Sequence, residues 1–364
     1  MKAILARSEL LAALNVVSKG TSSRTTLPIL SGILLSASGE ELVMQATDLE
    51  ISVRASVQAA VEKSGETVVG GRLFADIVRS MPEAAITIES AGPDSLTVSG
   101  AQSSFKVKTL APDDFPKFPE IVEGQRISVP SKDLASVVKQ VSKAVSRDET
   151  RPVLTGMLVA IEGTKLKMVA TDSYRLAVKE AALPAPVSEE VQVIVPGKAL
   201  EEVARLASDV EQVTFGVSDN QVVFEFGTTV YISRRIEGTY PNYTQLLPGG
   251  YESRIVVDRA ELAESVKRVS LLAQHNAPLR FSMTDSTLTL TAATPDVGEA
   301  TESLMVQTDG PDIEIAFNPG FLADGIQSTD ADTIAIEMTN PLKPAVITIP
   351  AEEGFLYLLM PVRL

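Results

Sequence analysis

Residues 26–50, TLPILSGILLSASGEELVMQATDLE, return as residues 150–174, TRPVLTGMLVAIEGTKLKMVATDSY, offset by 124 (Thr26 to Thr150) and without a gap. Thr26/Thr150, Pro28/Pro152, Leu30/Leu154, Gly32/Gly156, Leu34/Leu158, Gly39/Gly163, Leu42/Leu166 and Met44/Met168 coincide. Both copies then run into Ala-Thr-Asp, at Ala46-Thr47-Asp48 and Ala170-Thr171-Asp172. Each copy reads as two alternating strands around a glycine-bearing turn. So many matches in register exceed chance, and a period this long means similar domains, not a solenoid of short repeats.

The rest of the unit repeats as well. Gly71-Arg72-Leu73-Phe74 opens a helix after a short strand, and Gly197-Lys198-Ala199-Leu200 does the same 126 residues on. Phe115-Pro116-Lys117-Phe118 answers Tyr240-Pro241-Asn242-Tyr243. A third, more diverged copy aligns residues 259–274 with 132–147 and 288–292 with 166–170. It sets Asn318-Pro319-Gly320-Phe321-Leu322 where residues 196–200 stood. The expected fold is α+β: three repeated domains, each with two helices on antiparallel sheet. Their limits fall at 1–124, 125–251 and 252–364, beside Pro- and Gly-containing segments.

Composition narrows the chemistry. The chain has 364 residues, no cysteine, no tryptophan and one histidine, His275. Disulfides, thiolate metal sites and cysteine nucleophiles are excluded, and so is a multi-histidine zinc site. His275 falls at the polar end of a predicted helix, where a surface histidine suits the dipole. There is no Walker A motif and no GxGxxG turn. No catalytic activity, metal or cofactor is expected. Without an apolar run long enough for a bilayer or a signal peptide, the expected location is the cytoplasm, with no membrane partner.

A net charge of −15 argues against nucleic acid only if the charge is spread evenly. On a helical wheel over residues 131–147, Leu134, Val137, Val138, Val141 and Val145 share one stripe, with Lys132, Lys139 and Lys143 opposite. Over 71–81, Phe74, Ile77, Val78 and Met81 oppose Arg72 and Arg79; over 197–206, Leu200 and Val203 oppose Lys198 and Arg205. The repeat therefore places positive charge on equivalent faces of an acidic chain. Asp76 and Glu202 lie near those stripes, and the third copy's helix at 318–327 has neither Lys nor Arg. With no aromatics interleaved, phosphate contact without sequence reading fits better than base stacking.

Thr26-Leu27-Pro28-Ile29-Leu30, Ala46-Thr47-Asp48-Leu49-Glu50, Ala170-Thr171-Asp172-Ser173-Tyr174-Arg175-Leu176 and the terminal Met360-Pro361-Val362-Arg363-Leu364 together resemble the bacterial DNA polymerase III beta subunit family, the sliding clamps. The resemblance covers the whole chain. It implies a head-to-tail homodimer closed into a ring, with helices lining the hole and sheets outside. Double-stranded DNA passes through without sequence specificity, and the replicative DNA polymerase, the clamp loader and other partners are tethered for processivity. Arg24 then joins the basic helix residues as DNA-facing. The implied dimer interface sets Arg72, Phe105 and Val107 against Leu271 and Leu272. Partners would insert a Gln-Leu-hydrophobic-Phe-like peptide into a pocket lined by Arg151, Val153, Thr171, Tyr174, Arg175, Leu176, Pro241, Leu246, Asn318, Phe321, Leu342, Leu358, Met360, Pro361, Val362 and Arg363. Leu176, Leu246, Leu358 and Met360 would offer the apolar seat, and Arg151, Arg175 and Arg363 would bond peptide carbonyls or a carboxylate. Many relatives carry Gly-His where this chain has Ser173-Tyr174, and an aromatic in place of Val153.

Two other readings stand beside this one. A protein-interaction scaffold would keep the repeat and the pocket without encircling DNA. A hydrolase built on acidic residues is disfavoured by the missing histidine and cysteine clusters, and Asp48 and Asp172 fit turns better than chemistry.

Overall fold

The computed structural model describes residues 1–22, 25–90, 92, 94–121, 125–274 and 277–363. Arg24, His275, Gly124 and Leu364 lie outside the described residues. Among those described there are six α-helices: α1 (Arg7–Val17), α2 (Gly71–Ser80), α3 (Ser131–Ser142), α4 (Gly197–Leu206), α5 (Arg259–Val269) and α6 (Pro319–Gln327). The rest of the regular structure is almost all antiparallel strand, which is the α+β class read from the repeat. No helix among the described residues is long and apolar enough to cross a membrane.

The chain forms two compact units, Met1–Ser131 with Leu206–Arg235, and Lys132–Arg205 with Ile236–Leu364. The middle repeat is divided between them, and strand pairing explains why. In the first unit, Thr229–Arg234 of the middle repeat pairs with Ile51–Gln58 of the first. In the second, Glu352–Leu359 of the third repeat pairs with Arg175–Ala182 of the middle one. The final strands of the middle and third repeats thus each satisfy a backbone edge of the preceding repeat.

The first unit is built on a 13-stranded sheet running from Arg126–Pro130, through the Thr229–Arg234/Ile51–Gln58 junction, to Ala60–Lys63. There α1 packs on α2, burying Leu10, Leu14 and Val17 with Phe74, Ile77 and Val78. The second unit holds a nine-stranded sheet from Val191–Pro196 to Gln307–Asp309 and a four-stranded sheet from Gly298–Met305 to Ile313–Phe317. There α5 packs on α6, burying Leu262, Val266 and Val269 with Leu322 and Ile326.

The hairpin that revealed the repeat forms in all three copies. Gly39 and Gly163 take φ of 60° and 57° at its turn, while the third copy puts Asp285 and Ser286 there at 47° and 63°. Divergence removed the glycine but kept residue types that tolerate the left-handed region.

Two helices end earlier than their periodicity predicts. α3 stops at Ser142, because the amides of Ala144 and Val145 bond back to the carbonyls of Val141 and Ser142 and tighten into a turn. Lys143 therefore lies in that turn, not on the helix face. α5 stops at Val269 and passes into a 3-10 turn, Ser270–Leu272, which carries both Leu271 and Leu272.

Candidate functional site

The site grows from the Ala-Thr-Asp element of the middle repeat. Asp172 Oδ1 accepts from the amides of Tyr174 (2.9 Å) and Arg175 (3.0 Å). The Thr171 hydroxyl donates to Arg175 O (2.7 Å) and accepts from Ser173 N (3.2 Å). These bonds hold Ser173 at φ 81°, the conformation a glycine takes most easily. The first repeat builds the same turn with Thr47, Asp48 and Leu49, whose φ is 78°. Asp48 and Asp172 are turn builders in both copies.

The turn projects Tyr174 outward, 60% exposed, and turns Arg175 inward. Tyr174 stacks on Phe321 with ring centroids 6.1 Å apart and planes 26° from parallel. The Arg175 guanidinium lies 4.4 Å from the centre of the same Phe321 ring. It bonds Asp172 Oδ2 (3.0 Å), Asp324 Oδ2 (2.5 Å) and the Tyr357 hydroxyl (3.2 Å). Burial works against the charge of Arg175, but Tyr357, Asp324 and Asp172 outweigh it and its pKa is raised. Burial also pushes the Tyr357 hydroxyl up, so it stays protonated and donates to Phe321 O at 3.1 Å. Asn318 caps α6, its Oδ1 accepting from Gly320 N (2.9 Å) and Phe321 N (3.1 Å), with Pro319 in the first turn.

Two expected roles are refined here. Arg175 commits Nε and Nη1 to its own chain and fixes Phe321 beneath Tyr174. Leu176 and Leu358, each 1% exposed, lie under the surface in a cluster with Leu158, Val169, Val178, Ile194, Tyr240 and Val346. Val153 packs half-buried against that cluster. The apolar surface comes instead from Tyr174, Leu246, Leu342 and Met360, all exposed, with Phe321, Pro361 and Val362 half-buried. Thr171 is buried, and its amide donates to the Tyr240 hydroxyl (3.1 Å).

The terminal segment is tied down by its backbone. Met360 N donates to Tyr174 O (2.9 Å) and Val362 N to Ala316 O (2.8 Å). Arg151 bonds Asp148 Oδ2 (2.9 Å) and Ser173 Oγ (3.0 Å), which braces the exposed turn. Among the described residues, no side-chain hydrogen bond, ion pair or ring contact joins Leu342 or Arg363 to the others. Asp324, Tyr357 and Tyr240 were not singled out from sequence. Asp324 lies one helical turn after Phe321 and shares its side of α6, the one signal that pointed to it.

The first repeat's equivalent of this place is built differently. Arg234 N donates to Glu50 O (3.0 Å), as Met360 N does to Tyr174 O, and the Arg234 and Glu50 side chains form an ion pair at 3.4 Å. An aromatic and a thioether in one junction are matched by opposite charges in the other. Of these two junctions, the Tyr174/Met360 one presents the apolar and aromatic surface.

The basic helix residues Arg72, Arg79, Lys132, Lys139, Lys198 and Arg205 are all exposed, opposite buried faces, and Lys143 is exposed in its turn. Of the expected interface residues, Leu271 is 70% exposed, Leu272 and Phe105 are half-buried and Val107 is buried. Val107 faces the core, so its contribution to an interface is confined to its strand's backbone. That backbone is available: residues 103–108 pair only with Ser95–Gly100 among the described residues. Gly298–Met305, at the end of its sheet, likewise pairs only with Thr287–Thr294 among the described residues.

Models of the DNA polymerase III beta subunit match the chain in three parts: the N-terminal domain at residues 1–119, the central domain at 128–242 and the C-terminal domain at 244–363. The beta sliding clamp of Streptomyces coelicolor is 36% identical over 377 residues, covering 100% of both chains. That of Staphylococcus aureus strain Mu50 is 32% identical over 375 residues, covering 100% of this chain and 99% of its own. Among solved structures, the Bacillus subtilis DNA polymerase sliding clamp superposes with a TM-score of 0.95 at 29% identity, covering 100% of this chain and 99% of that one. A Pseudomonas aeruginosa sliding clamp bound to griselimycin gives 0.95 at 29% identity, covering 100% of both.

Proposed function

The chain belongs to the DNA polymerase III beta subunit family, the sliding clamps, and from that premise we propose that it closes as a head-to-tail homodimeric ring around duplex DNA. In that ring the clamp domains span 1–124, 125–251 and 252–364. The replicative polymerase, the clamp loader and other partners bind by a short peptide at the Tyr174/Phe321/Met360 surface. The protein is non-catalytic and acts in the cytoplasm, on the nucleoid.

The observation that carries this reading is the set of exposed basic residues on α2, α3 and α4 in a chain of net charge −15. Screening over roughly 8 Å at physiological salt lets those residues act on phosphates independently of acidic faces elsewhere. A few such contacts bind duplex weakly and without sequence preference. Retention must then come from closure, not affinity. Closure is supported by the open strand edges at residues 103–108 and Gly298–Met305, which lie in the first and third repeats and suit antiparallel pairing between copies. Leu271 offers an exposed apolar contact from the 3-10 turn that packs on Gly298–Met305.

The expected result is topological. Protein assembled on nicked circular DNA by a clamp loader stays bound through gel filtration, and linearising the DNA releases it within minutes. Equal loss from both forms would favour the scaffold reading and overturn the ring.

A further inference from the structure

The basic residues that line the DNA path in this reading are partly neutralised by carboxylates of the same chain, and the arrangement is repeated. On α2, Arg79 Nη1 meets Asp76 Oδ1 at 2.7 Å, three residues earlier. On α4, 126 residues on, Arg205 pairs with Glu202, again three residues earlier. On α5, Lys267 Nζ stands 3.5 Å from Glu264 Oε1 with the same spacing and the same order, acid first. Two of the three basic positions of the α3 segment are served from elsewhere in their unit: Lys139 pairs with Asp330, and Lys143 Nζ lies 3.8 Å from Asp324.

Acid-before-base at this spacing adds little to helix stability, since exposed pairs contribute only tenths of a kcal/mol. What it does change is the local potential. A carboxylate next to a guanidinium competes with phosphate for the same N–H donors and cancels its field within a few ångströms. Arg72, Lys132 and Lys198, exposed on the same helices, form no ion pair among the described residues.

We propose that Asp76, Glu202 and Asp330 are built-in counter-ions that hold the clamp's grip on duplex below the level its basic residues could reach, so that the ring slides. This rests on the reading of α2, α3 and α4 as the DNA-facing wall. A phosphate must displace a tethered carboxylate to engage Arg79, Arg205 or Lys139, and the carboxylate reclaims the cation as the phosphate moves on. Each such contact is exchanged locally, without waiting for salt ions to recondense.

The test is the triple variant D76N/E202Q/D330N, with a control of equal charge change on strands, E62Q/E225Q/E314Q. Glu62, Glu225 and Glu314 are each ion-paired there, to Lys2, Arg126 and Arg280. Binding to a linear fluorescein-labelled duplex is followed by anisotropy across salt concentrations. Three freed cations steepen the logarithmic salt slope by about 2.7. Raising salt from about 50 to 200 mM then costs the helix variant about 40-fold more affinity than the parent. At low salt the helix variant binds tighter than both parent and control, and diffuses more slowly along DNA once loaded. An unchanged slope, or an equal rise in the strand control, overturns the proposal. Failure of the parent to stay on nicked circles would instead remove the ring reading, a separate measurement.

Discussion

Removing residues 360–364 is expected to weaken binding of a Gln-Leu-x-Leu-Phe peptide by about 100-fold or more while leaving the fold and the dimer intact. The cut falls just after the strand Glu352–Leu359, so every pairing of that strand with Arg175–Ala182 survives. Leu358 and Tyr357, which carry the buried packing, also remain. What disappears is Met360, with its bond to Tyr174 O, and Pro361 and Val362, with the anchor to Ala316 O. Half-burying two apolar side chains against a ligand contributes about 3 kcal/mol, and that corresponds to about 100-fold in Kd. Met360 adds more than area, because a thioether adapts to different partner side chains. Fluorescence polarisation with a labelled peptide measures the loss, and circular dichroism with solution mass checks fold and dimer. An affinity within about threefold of the intact chain would refute the assignment of the pocket.

The same segment shows what the sequence could and could not disclose. The repeat was visible because hairpin chemistry is local: Gly39, Gly163 and the Ala-Thr-Asp triplets recur at fixed spacing, and their side-chain-to-backbone bonds close within four residues. The helix faces were legible for the same reason, since a 3.6-residue period is written along one element. Helix ends were less so, because the turn after α3 depends on back-bonding by Ala144 and Val145, which apolar periodicity does not encode. The pocket residues could be named by resemblance, but not their division of labour. Whether Leu176 is surface or floor depends on Tyr240 and Val346, which reach it from 64 positions (176 to 240) and 170 positions (176 to 346) away. That Arg175 also braces the pocket from within was not legible, because Asp324 and Tyr357 reach it from the third repeat. The division of the middle repeat between two compact units was hidden in the same way, because it follows from pairing between strands far apart in sequence.

The bonds from Arg175 to Asp172, Asp324 and Tyr357 make it the position whose loss should cost most. Arg175→Ala would strand Asp172 and Asp324 and remove the cation beneath the Phe321 ring. Removing one partner of a buried ion pair destabilises by about 3–5 kcal/mol, since the remaining charge stays desolvated without compensation. Relief is available here: Asp172 keeps the amides of Tyr174 and residue 175, and Asp324 is about one-third exposed, with Lys143 3.8 Å away. Those outlets place the expected cost near the lower end, about 3 kcal/mol. Because the chain comprises two compact units, a single global midpoint would blur the effect. Hydrogen exchange resolves it, with protection of the strands Arg175–Ala182 and Glu352–Leu359 falling by about 100-fold while Ile51–Gln58 in the other unit is unchanged. Peptide affinity should fall with it, because Phe321 loses the contact that holds it under Tyr174. Arg175→Lys should recover little of either, since an ammonium cannot bridge two carboxylates and a phenol while lying flat on an aromatic ring. If Arg175→Ala exchanged at parental rates, or Arg175→Lys restored full peptide binding, the guanidinium would not be what organises the pocket.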